Sequence, residues 1–534
     1  MSKPPKYGII YNWDSSPHSY NEVPQSMEEF LERVYGPLSN TQVGALFWSL
    51  GEHVARWESN ILDLVGNRQR RTYESASSYI SSENIRQMLD RGEDPQKELI
   101  RRGHELGIQV YASIRMNDNH FEGAQVGDLP KDSTSITTMR NEHPEWLLGD
   151  QTSEWFALSW NFEVPEVREH RLAHIKELCE LYDWDGIELD WQRHAFHLPE
   201  DYAYRLRYVL TDLQRAVRRM VNNLSEKRGH PLYLAARISP TLEMSRQVGY
   251  DIPKWIDENL VDILVPSGGY AMDPSLEIAS YVDLCKGTNT EVYAGIDNGL
   301  DVYTKGVHAG HEEFVGPEDI VGKDGMRVRA SAARHYAAGA EGTYVFNWHA
   351  TNDSRRELLT QIGSPETLRG KDKIYAATHR NLRNEGPWRG ALRNDRILGE
   401  VPVALKRTLT SDGPTITLNV ADDLTMDVPQ HVDLRVRLRE SVKGDVIQIF
   451  WDGDEMVNVK PEYDYGIESG TAADAYGDNV YDVSNAIWIH SKLNPSKVTK
   501  GPHEIKVVLL KRHPKVKSDV VLTNVELVIK YGSN

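Results

Sequence analysis

The first two-thirds of the chain alternates short apolar runs, rich in β-branched and aromatic residues, with longer amphipathic stretches. Strands separated by helical stretches are typical of a parallel sheet with crossover helices. Eight strands is the number found in a closed (β/α)8 barrel. The eight predicted strands are 7–13, 43–49, 108–115, 186–191, 232–238, 262–266, 291–296 and 342–348.

The helices between these strands carry start signals and core-facing stripes. Ser26 with Glu29 forms a capping box, and Asp94 followed by Pro95 is a cap with a first-turn proline. One stripe recurs at the helical period and predicts a long helix packed on the barrel. It consists of Leu206, Val209, Leu210, Leu213, Val217 and Met220.

An open, doubly wound sheet is the alternative arrangement for such a chain. That fold normally has a glycine-rich, phosphate-binding turn after the first strand. Residues 12–16 read Asn-Trp-Asp-Ser-Ser and contain no glycine. We therefore predict a TIM barrel over residues 1–375.

The pattern changes after about residue 375. Residues 376–400 are polar and predict a linker or an extension of the barrel. From residue 401 to residue 534 the runs alternate in the manner of strands, which predicts an all-β sandwich. Asp452-Gly453-Asp454 is expected to form a tight turn between two of these strands. The predicted strands here are 415–420, 432–438, 446–451, 504–510 and 520–529.

Composition and net charge indicate which classes of partner the chain is expected to bind. The chain has 534 residues, of which 40% are hydrophobic and 26% charged, which is ordinary globular composition. Its net charge of -18 would repel nucleic acid and anionic membrane surfaces, so we predict neither as a partner. Any anion-binding site must then be built locally from arginines.

The cysteine count and the N-terminal residues indicate the cellular compartment in which the protein is expected. Cys179 and Cys285 are the two cysteines, too few for a disulfide framework. The first residues, MSKPPKYGIIYNWD, contain no apolar run of signal-peptide length, and no stretch of the chain approaches the ~20 apolar residues of a membrane span. These features predict a cytoplasmic protein.

Reactive side chains follow nearly every barrel strand, at the end where TIM-barrel active sites lie. Because side chains alternate along a strand, Glu188, Asp190 and Gln192 should point the same way, into the barrel or its mouth. Burying polar groups there is costly unless they are paired or used. The other groups at these strand ends are Asp14, Arg115, Asn117, Asp118, His120, Arg193, Arg237, Asn347 and Trp348.

Each of these groups also has a structural interpretation. A lone aspartate such as Asp14 can cap the next helix, and Glu188 with Asp190 can pair with arginines as a network inside the barrel. Asp14, Asp118 and His120 could hold an oxygen-preferring ion, but no His-x-x-x-His helix with an intervening Glu is present. We predict no metal and no cofactor.

Four tryptophans fall at the same strand ends: Trp13, Trp48, Trp191 and Trp348. Aromatic rings can stack on the apolar face of a pyranose, which indicates a sugar substrate. The alternative is that these rings pack loops against the barrel.

Two wider resemblances support a barrel that acts on sugars. Strand four resembles the Asp-Gly-x-Asp-x-Asp-Trp-Glu motif of glycoside hydrolase family 18, but Gln192 stands where that family has its catalytic acid. An amide cannot protonate a leaving group, so chitinase-type chemistry is not expected. Residues 1–360 also resemble the family-10-like barrel glycosidases.

A third resemblance is to the inverting sialidases of glycoside hydrolase family 156, which join a (β/α)8 barrel to a C-terminal β-sandwich. Asp14 follows the first strand, and His120 lies five residues after Arg115, as in that family. The resemblance implies an exo-sialidase with Asp14 and His120 as the acid and base. It also implies that Arg115, Arg193 and Asn347 bind the substrate.

The chemistry of a sialoside fits this assignment. Its anomeric carbon bears a carboxylate, which disfavours attack by an enzymic carboxylate. An inverting route uses water instead, and a histidine can act as acid or base near neutral pH. The remaining rim residues (Asn117, Asp118, Glu188, Asp190, Arg237 and Trp348) are expected to contact the substrate.

Two other functions stay open at this stage. One is a glycosidase for a neutral or uronic sugar that uses Glu188 and Asp190 as its carboxylate pair. The other is a non-catalytic, glycan-binding barrel, which the amide of Gln192 suggests. The sandwich would brace the barrel or bind glycan, and bracing is favoured because no aromatic strip is visible. A homodimer is left open.

Overall fold

The computed structural model describes most of the chain. The described residues are 3–13, 17–50, 54–118, 126–129, 136–152, 156–268, 276–297, 325–348, 350–378, 400–401, 403–407, 412–457, 459–464 and 486–532.

Eight parallel strands close into a barrel in sequence order, with β1 pairing both β2 and β8. This confirms the predicted TIM barrel, and each predicted strand overlaps an observed one. The strands are β1 (Ile9–Trp13), β2 (Val43–Ser49), β3 (Gln109–Arg115), β4 (Gly186–Asp190), β5 (Tyr233–Ile238), β6 (Ile263–Pro266), β7 (Glu291–Asp297) and β8 (Gly342–Phe346).

Helices follow the strands and bury their apolar stripes against the barrel. The Ser26–Glu29 capping box and the Asp94 cap form as predicted, and the long stripe lies on Ala203–Arg228. The described α-helices are Met27–Tyr35, Ala76–Asp90, Pro95–Glu105, Thr138–Glu142, Pro165–Leu181, Ala203–Arg228, Leu242–Gln247, Ile252–Asp257, Ile278–Cys285, Gly325–Ala337, Asp353–Leu358 and Pro365–Leu368. None of them is long and apolar enough to cross a bilayer.

The interior of the barrel is layered. Its lower part is filled by aromatic rings, of which Phe47 and Tyr111 stack with centroids 4.4 Å apart. Above them the register places Ser113 beside Glu188, and in the next layer places Arg115, Asp190 and Arg237 side by side. Polar side chains thus replace aromatic ones toward the carboxyl ends of the strands.

The C-terminal domain is a sandwich of two sheets with its own apolar core. One sheet has the order β10-β18-β12-β16-β15, with β9 also paired to β18, and the other has the order β11-β17-β13-β14. The strands are β9 (Lys373–Thr378), β10 (Val403–Leu405), β11 (Thr415–Val420), β12 (His431–Arg439), β13 (Val446–Trp451), β14 (Asp454–Glu455), β15 (Lys460–Asp464), β16 (Ala486–Lys492), β17 (Gly501–Lys511) and β18 (Val520–Lys530).

The observed sandwich begins earlier than the predicted boundaries at 375 and 401. β9 pairs antiparallel with β18 over residues 373–378, so it belongs to the sandwich sheet, and residues 376–378, predicted as the start of the linker or barrel extension, are strand. Its partner is about 150 residues away in sequence, and a short run such as KIYAAT gives no local sign of it. The turn at Asp452-Gly453 forms as predicted, with both residues at positive φ between β13 and β14.

The two domains share a buried ionic contact. Arg327, on the last long barrel helix, donates to Glu526 on β18, and Arg435 on β12 lies 3.3 Å from the other oxygen of the same carboxylate. Glu526 is fully buried. Its charge is therefore balanced by guanidinium groups from both domains, which ties the sandwich to the barrel.

Candidate functional site

The polar interior of the barrel is centred on Glu188 of β4. One carboxylate oxygen, Oε2, accepts hydrogen bonds from the Ser113 hydroxyl at 2.5 Å and from the Asn12 amide at 3.1 Å. The Asn12 amide also donates to Ser113 at 3.1 Å. Because these three side chains come from β1, β3 and β4, they meet inside the barrel, as strand alternation predicted for Glu188.

The Glu188 carboxyl holds its proton near neutral pH. Burial, with a smaller contribution from the negative charge of Asp190, raises its pKa to about 8. The Ser113 hydroxyl, the charge of Arg237 and the Tyr344 hydroxyl each lower the pKa, but less. A carboxyl group with a raised pKa near a second carboxyl group on the same strand face is a common arrangement in catalytic sites.

Asp190 is held in a buried ion pair with Arg237. The guanidinium Nη1 lies 3.2 Å from Oδ1 and 3.1 Å from Oδ2 of Asp190. Arg237 also donates to the Ser267 hydroxyl and to the carbonyl of Gly268, and it stacks on the ring of Phe346 at 3.9 Å. Arg237 is thus committed to protein partners, in place of the substrate contact predicted for it.

A second ion pair lies beside the first one at the barrel mouth. Arg115, the last residue of β3, donates to Asp118 at 2.6 Å. The other oxygen of Asp118 lies 3.7 Å from Nδ1 of His194, which is buried. Arg171 fixes the end of β3 by donating to the Arg115 carbonyl. This support orients the Arg115 guanidinium at the mouth.

Arg193 brings a third guanidinium to the same region. Its backbone N–H donates to Asp190, which places the residue in the turn that follows β4. Burial lowers the pKa of Arg193 to about 10, with a further contribution from the positive charges of Arg115 and Arg237. Three guanidinium groups are therefore close enough to repel one another at the barrel mouth.

Asn117 has a structural role in place of the predicted contact with substrate. Its amide donates to the carbonyls of Trp160 and Phe196, and its oxygen accepts from the Trp160 N–H. Asn117 is fully buried, so it fastens two segments that are distant in sequence to the end of β3. The side-chain oxygen of Gln192 likewise has a protein partner: it accepts a hydrogen bond from the Ser239 hydroxyl at 3.0 Å.

The four tryptophans pack inside the protein, which is the alternative to stacking on sugar. Trp348, predicted to contact substrate, is 1% exposed, and its indole N–H donates to the Arg355 carbonyl at 2.9 Å. Trp191 is fully buried, and Trp13 packs 6.3 Å from Trp48. Their large rings fill the space between the barrel strands and the surrounding helices.

Asn347 ends β8 in an unusual backbone conformation. Its φ is +52°, in the left-handed region that asparagine tolerates better than most residues. The residue is partly exposed, unlike its buried neighbours Phe346 and Trp348. A strained, accessible polar residue at the mouth is consistent with the substrate contact predicted for it.

The two predicted catalytic residues, Asp14 and His120, lie outside the described residues. Of the described residues nearest to them in sequence, Trp13 ends β1 and Asp118 lies three residues after the end of β3. Within the described ranges no three His, Cys, Asp or Glu side chains are grouped so that they could hold a metal ion.

Comparison of the sequence with known proteins gives no assignment. No protein-family model matches the chain, and no curated protein matches it significantly.

Several solved structures match the chain at low sequence identity. The glycoside hydrolase domain of PgaB (BpsB) from Bordetella bronchiseptica matches 68% of this chain and 99% of its own length, with a TM-score of 0.41 and 10% identity. An α-amylase from Geobacillus thermoleovorans, complexed with acarbose, matches 94% of this chain and 99% of its own, with a TM-score of 0.37 and 10% identity.

A cycloisomaltooligosaccharide glucanotransferase from Paenibacillus sp. is another match, with a TM-score of 0.32 and 10% identity. It is matched over 97% of this chain, which spans 57% of the length of that enzyme. At these values the likenesses concern the fold alone.

Proposed function

We propose that this chain is a glycoside hydrolase that binds an anionic sugar at the barrel mouth, and that it is an exo-sialidase that releases terminal sialic acid with inversion. The observation that carries the proposal is the group of three guanidiniums, those of Arg115, Arg193 and Arg237, at the carboxyl ends of β3 to β5. Asp118 pairs with Arg115, and Asp190 pairs with Arg237.

Positive charge close to the binding site is needed for this protein to bind an anionic ligand. The net charge of -18 repels an anionic ligand at long range, so affinity for it must come from nearby arginines. A guanidinium can hold a carboxylate through two parallel hydrogen bonds, which fixes both its position and its orientation. We assign this role to Arg115 and Arg193, since Arg237 donates to three protein partners, Asp190, Ser267 and the Gly268 carbonyl.

The reaction needs one base and one acid. The base removes a proton from water as the water oxygen attacks the anomeric carbon on the face opposite the aglycone. The acid gives a proton to the departing glycosidic oxygen as the carbon–oxygen bond breaks. We assign these roles to Asp14 and His120, with Asn347 as a further contact to the sugar. No covalent intermediate forms, so the carboxylate of the sugar meets no attacking carboxylate.

The test compares single variants on a sialyllactose mixture, with released sialic acid as the readout. Asp14→Ala and His120→Ala proteins should lose roughly 100-fold or more of the turnover, as expected for loss of a general acid or base. Glu188→Gln, which replaces a group one layer below Arg115 and Arg237, is the comparison variant and should retain measurable turnover. Full turnover in both alanine variants would overturn the assignment.

A second function has one specific observation in its favour. Glu188, whose pKa burial raises to about 8, shares a strand face with Asp190, which pairs with Arg237, and an acid beside a second carboxyl group is an arrangement that glycosidases use. This pair would serve a glycosidase for a neutral or uronic sugar. Both carboxyls are buried, however, and each accepts hydrogen bonds from the protein, which favours the first proposal. Loss of turnover only in Glu188→Gln and Asp190→Asn proteins would favour the second.

A further inference from the structure

A cavity of about 410 Å³ lies between the outer helices of the barrel and the sandwich. Its barrel side is formed by the start of the helix Ile278–Cys285 and the end of the helix Gly325–Ala337. Its sandwich side is formed by residues 419–421 at the end of β11 and residues 500–501 at the start of β17. Ala330, on the second helix, packs into the sandwich core, so the cavity adjoins the contact between the two domains.

The helix Ile278–Cys285 begins at this cavity without a side-chain cap. Its first three residues, Ile278, Ala279 and Ser280, all line the cavity, and their N–H groups have no acceptor among the described residues. Glu277, at the N-cap position, makes no capping hydrogen bond through its side chain. Free N–H groups and the positive end of the helix dipole both favour an anion at this point.

Arg334 brings a positive charge to the same cavity. It lies one turn after Ala330, so it is on the helix face that packs against the sandwich. Its guanidinium is partly buried and has no hydrogen-bond or ion-pair partner in the part of the chain that the structure describes. Burial lowers the pKa of Arg334, as expected for a cation that no carboxylate compensates. Holding such a group away from water is costly unless an anion joins it.

Two further side chains line the cavity without partners. Lys500, on the sandwich side, is exposed and forms no ion pair with the described residues. His335 is only 4% exposed, and its Nδ1 has no hydrogen-bond partner within the described ranges. Because burial lowers the pKa of His335 to about 3, its ring is neutral near pH 7 and offers one N–H as a donor. Buried polar groups are normally satisfied, so this one points to a ligand.

We propose that this cavity binds a phosphate group, held by the N-terminus of the helix Ile278–Cys285, by Arg334 and by Lys500, and that the bound group bridges the barrel and the sandwich. The donors come from two barrel helices and from the sandwich, so they surround the ligand. A tetrahedral dianion, with acceptor oxygens in several directions, fits such an arrangement better than a planar carboxylate. The site is separate from the barrel mouth and does not depend on the proposed reaction.

The chemistry is shared by free phosphate and by the phosphate group of a sugar phosphate, and the cavity is large enough for either. Glu277 is the acidic residue among the described residues that line the cavity. Its carboxylate is exposed, so it weakens the binding of an anion through a screened repulsion and does not prevent it.

The experiment is isothermal titration calorimetry of the full-length protein with inorganic phosphate and with glucose 6-phosphate, at constant ionic strength. Arg334→Met should weaken phosphate binding by roughly tenfold or more, the usual worth of a charge-assisted hydrogen bond. Lys500→Met should weaken it by roughly threefold, because that charge is exposed. Glu277→Gln should strengthen it by roughly twofold. Lys286→Met, at the opposite end of the helix Ile278–Cys285, is the matched control and should leave it unchanged.

The two probes distinguish the sources of the phosphate group. Tighter binding of glucose 6-phosphate than of inorganic phosphate would identify a phosphorylated sugar as the ligand, and equal or weaker binding would identify free phosphate. Absence of binding by both probes, or binding that is the same in wild type, Arg334→Met and Lys500→Met, would overturn the proposal. Because Lys500 is exposed, its variant should fold even where Arg334→Met does not, and the test then rests on the Lys500 and Glu277 variants.

Discussion

The guanidinium of Arg237 contacts both carboxylate oxygens of Asp190, at 3.2 and 3.1 Å, in the interior of the barrel. Both side chains are at most 1% exposed. The pair lies in the upper layer of the barrel interior. Glu188 lies one layer below it, and the mouth arginines lie beside it. The Asp190–Arg237 pair thus supports the site, whereas Arg115 and Arg193 are the guanidiniums proposed to bind substrate.

Breaking that pair should destabilise the protein strongly. Replacing Arg237 with methionine leaves the buried carboxylate of Asp190 without its cation, and such losses typically lower the free energy of unfolding by about 3–5 kcal/mol. Arg246→Met is the matched control, because Arg246 pairs with Glu243 while both side chains are more than half exposed. The control should change stability by under about 0.5 kcal/mol. Urea denaturation measures both, and equal losses would contradict the assignment.

Arg193 should determine the affinity for the sugar rather than the rate of bond cleavage. An Arg193→Ala protein should raise the KM for sialyllactose by roughly tenfold or more, the usual worth of a charge-assisted hydrogen bond, with a smaller change in kcat. Arg205→Ala, at an exposed position on the helix Ala203–Arg228, is the control and should leave both constants near wild-type values. An unchanged KM in Arg193→Ala would remove this residue from the substrate site.

Buried histidines should make the fold sensitive to acid. Burial lowers the pKa values of His18, His197 and His335 to about 3, so these side chains remain neutral in the folded state at pH 5, whereas the unfolded chain protonates them. Stability is fully present above the unfolded pKa of about 6.5 and is lost as the pH falls from there toward the folded value.

Each such histidine should cost about 2 kcal/mol of unfolding free energy between pH 7 and pH 5. A His197→Gln protein should therefore lose about 2 kcal/mol less than wild type over that interval, whatever its stability at pH 7. Denaturation curves at the two pH values measure the difference. Equal losses in the two proteins would show that His197 is protonated in the folded state.

Glu526 should couple the sandwich to the barrel. A Glu526→Ala protein leaves the guanidiniums of Arg327 and Arg435 without their shared carboxylate, and we expect a loss of about 3–5 kcal/mol and a separate, earlier melting transition for one domain. Glu455→Ala, on the exposed strand β14, is the control. Calorimetry that shows one unshifted transition in the Glu526 variant would argue against bracing by this contact.

The barrel could be predicted from the sequence because its strands are buried on both sides and their apolar runs are nearly continuous. Five of the ten sandwich strands were predicted from their sequence pattern, namely β11, β12, β13, β17 and β18, whereas β10, β14 and β16 were not. β15 was not predicted, because Lys460–Asp464 is mostly polar and contains a proline at the sheet edge. β9 could not be assigned to its sheet, because its partner β18 lies far along the chain.

The candidate site was predicted from the sequence only in part. Alternation along β4 correctly placed Glu188 and Asp190 inside the barrel. The same reasoning could not show that Asn117 is saturated by main-chain groups, since Trp160 and Phe196 are 43 and 79 residues away. Sequence analysis missed Asn12, Ser113 and Tyr344 around Glu188; the inward register of Ser113 on β3 was the available signal.

The measurement that tests the central claim most directly is proton NMR of the purified protein with a sialyllactose mixture, recorded from the first turnovers. The account predicts release of sialic acid from the α-linked substrate with the β anomer formed first, because water attacks opposite the departing aglycone. Initial formation of the α anomer would contradict the inverting route. Absence of any released sialic acid would contradict the assignment of the substrate.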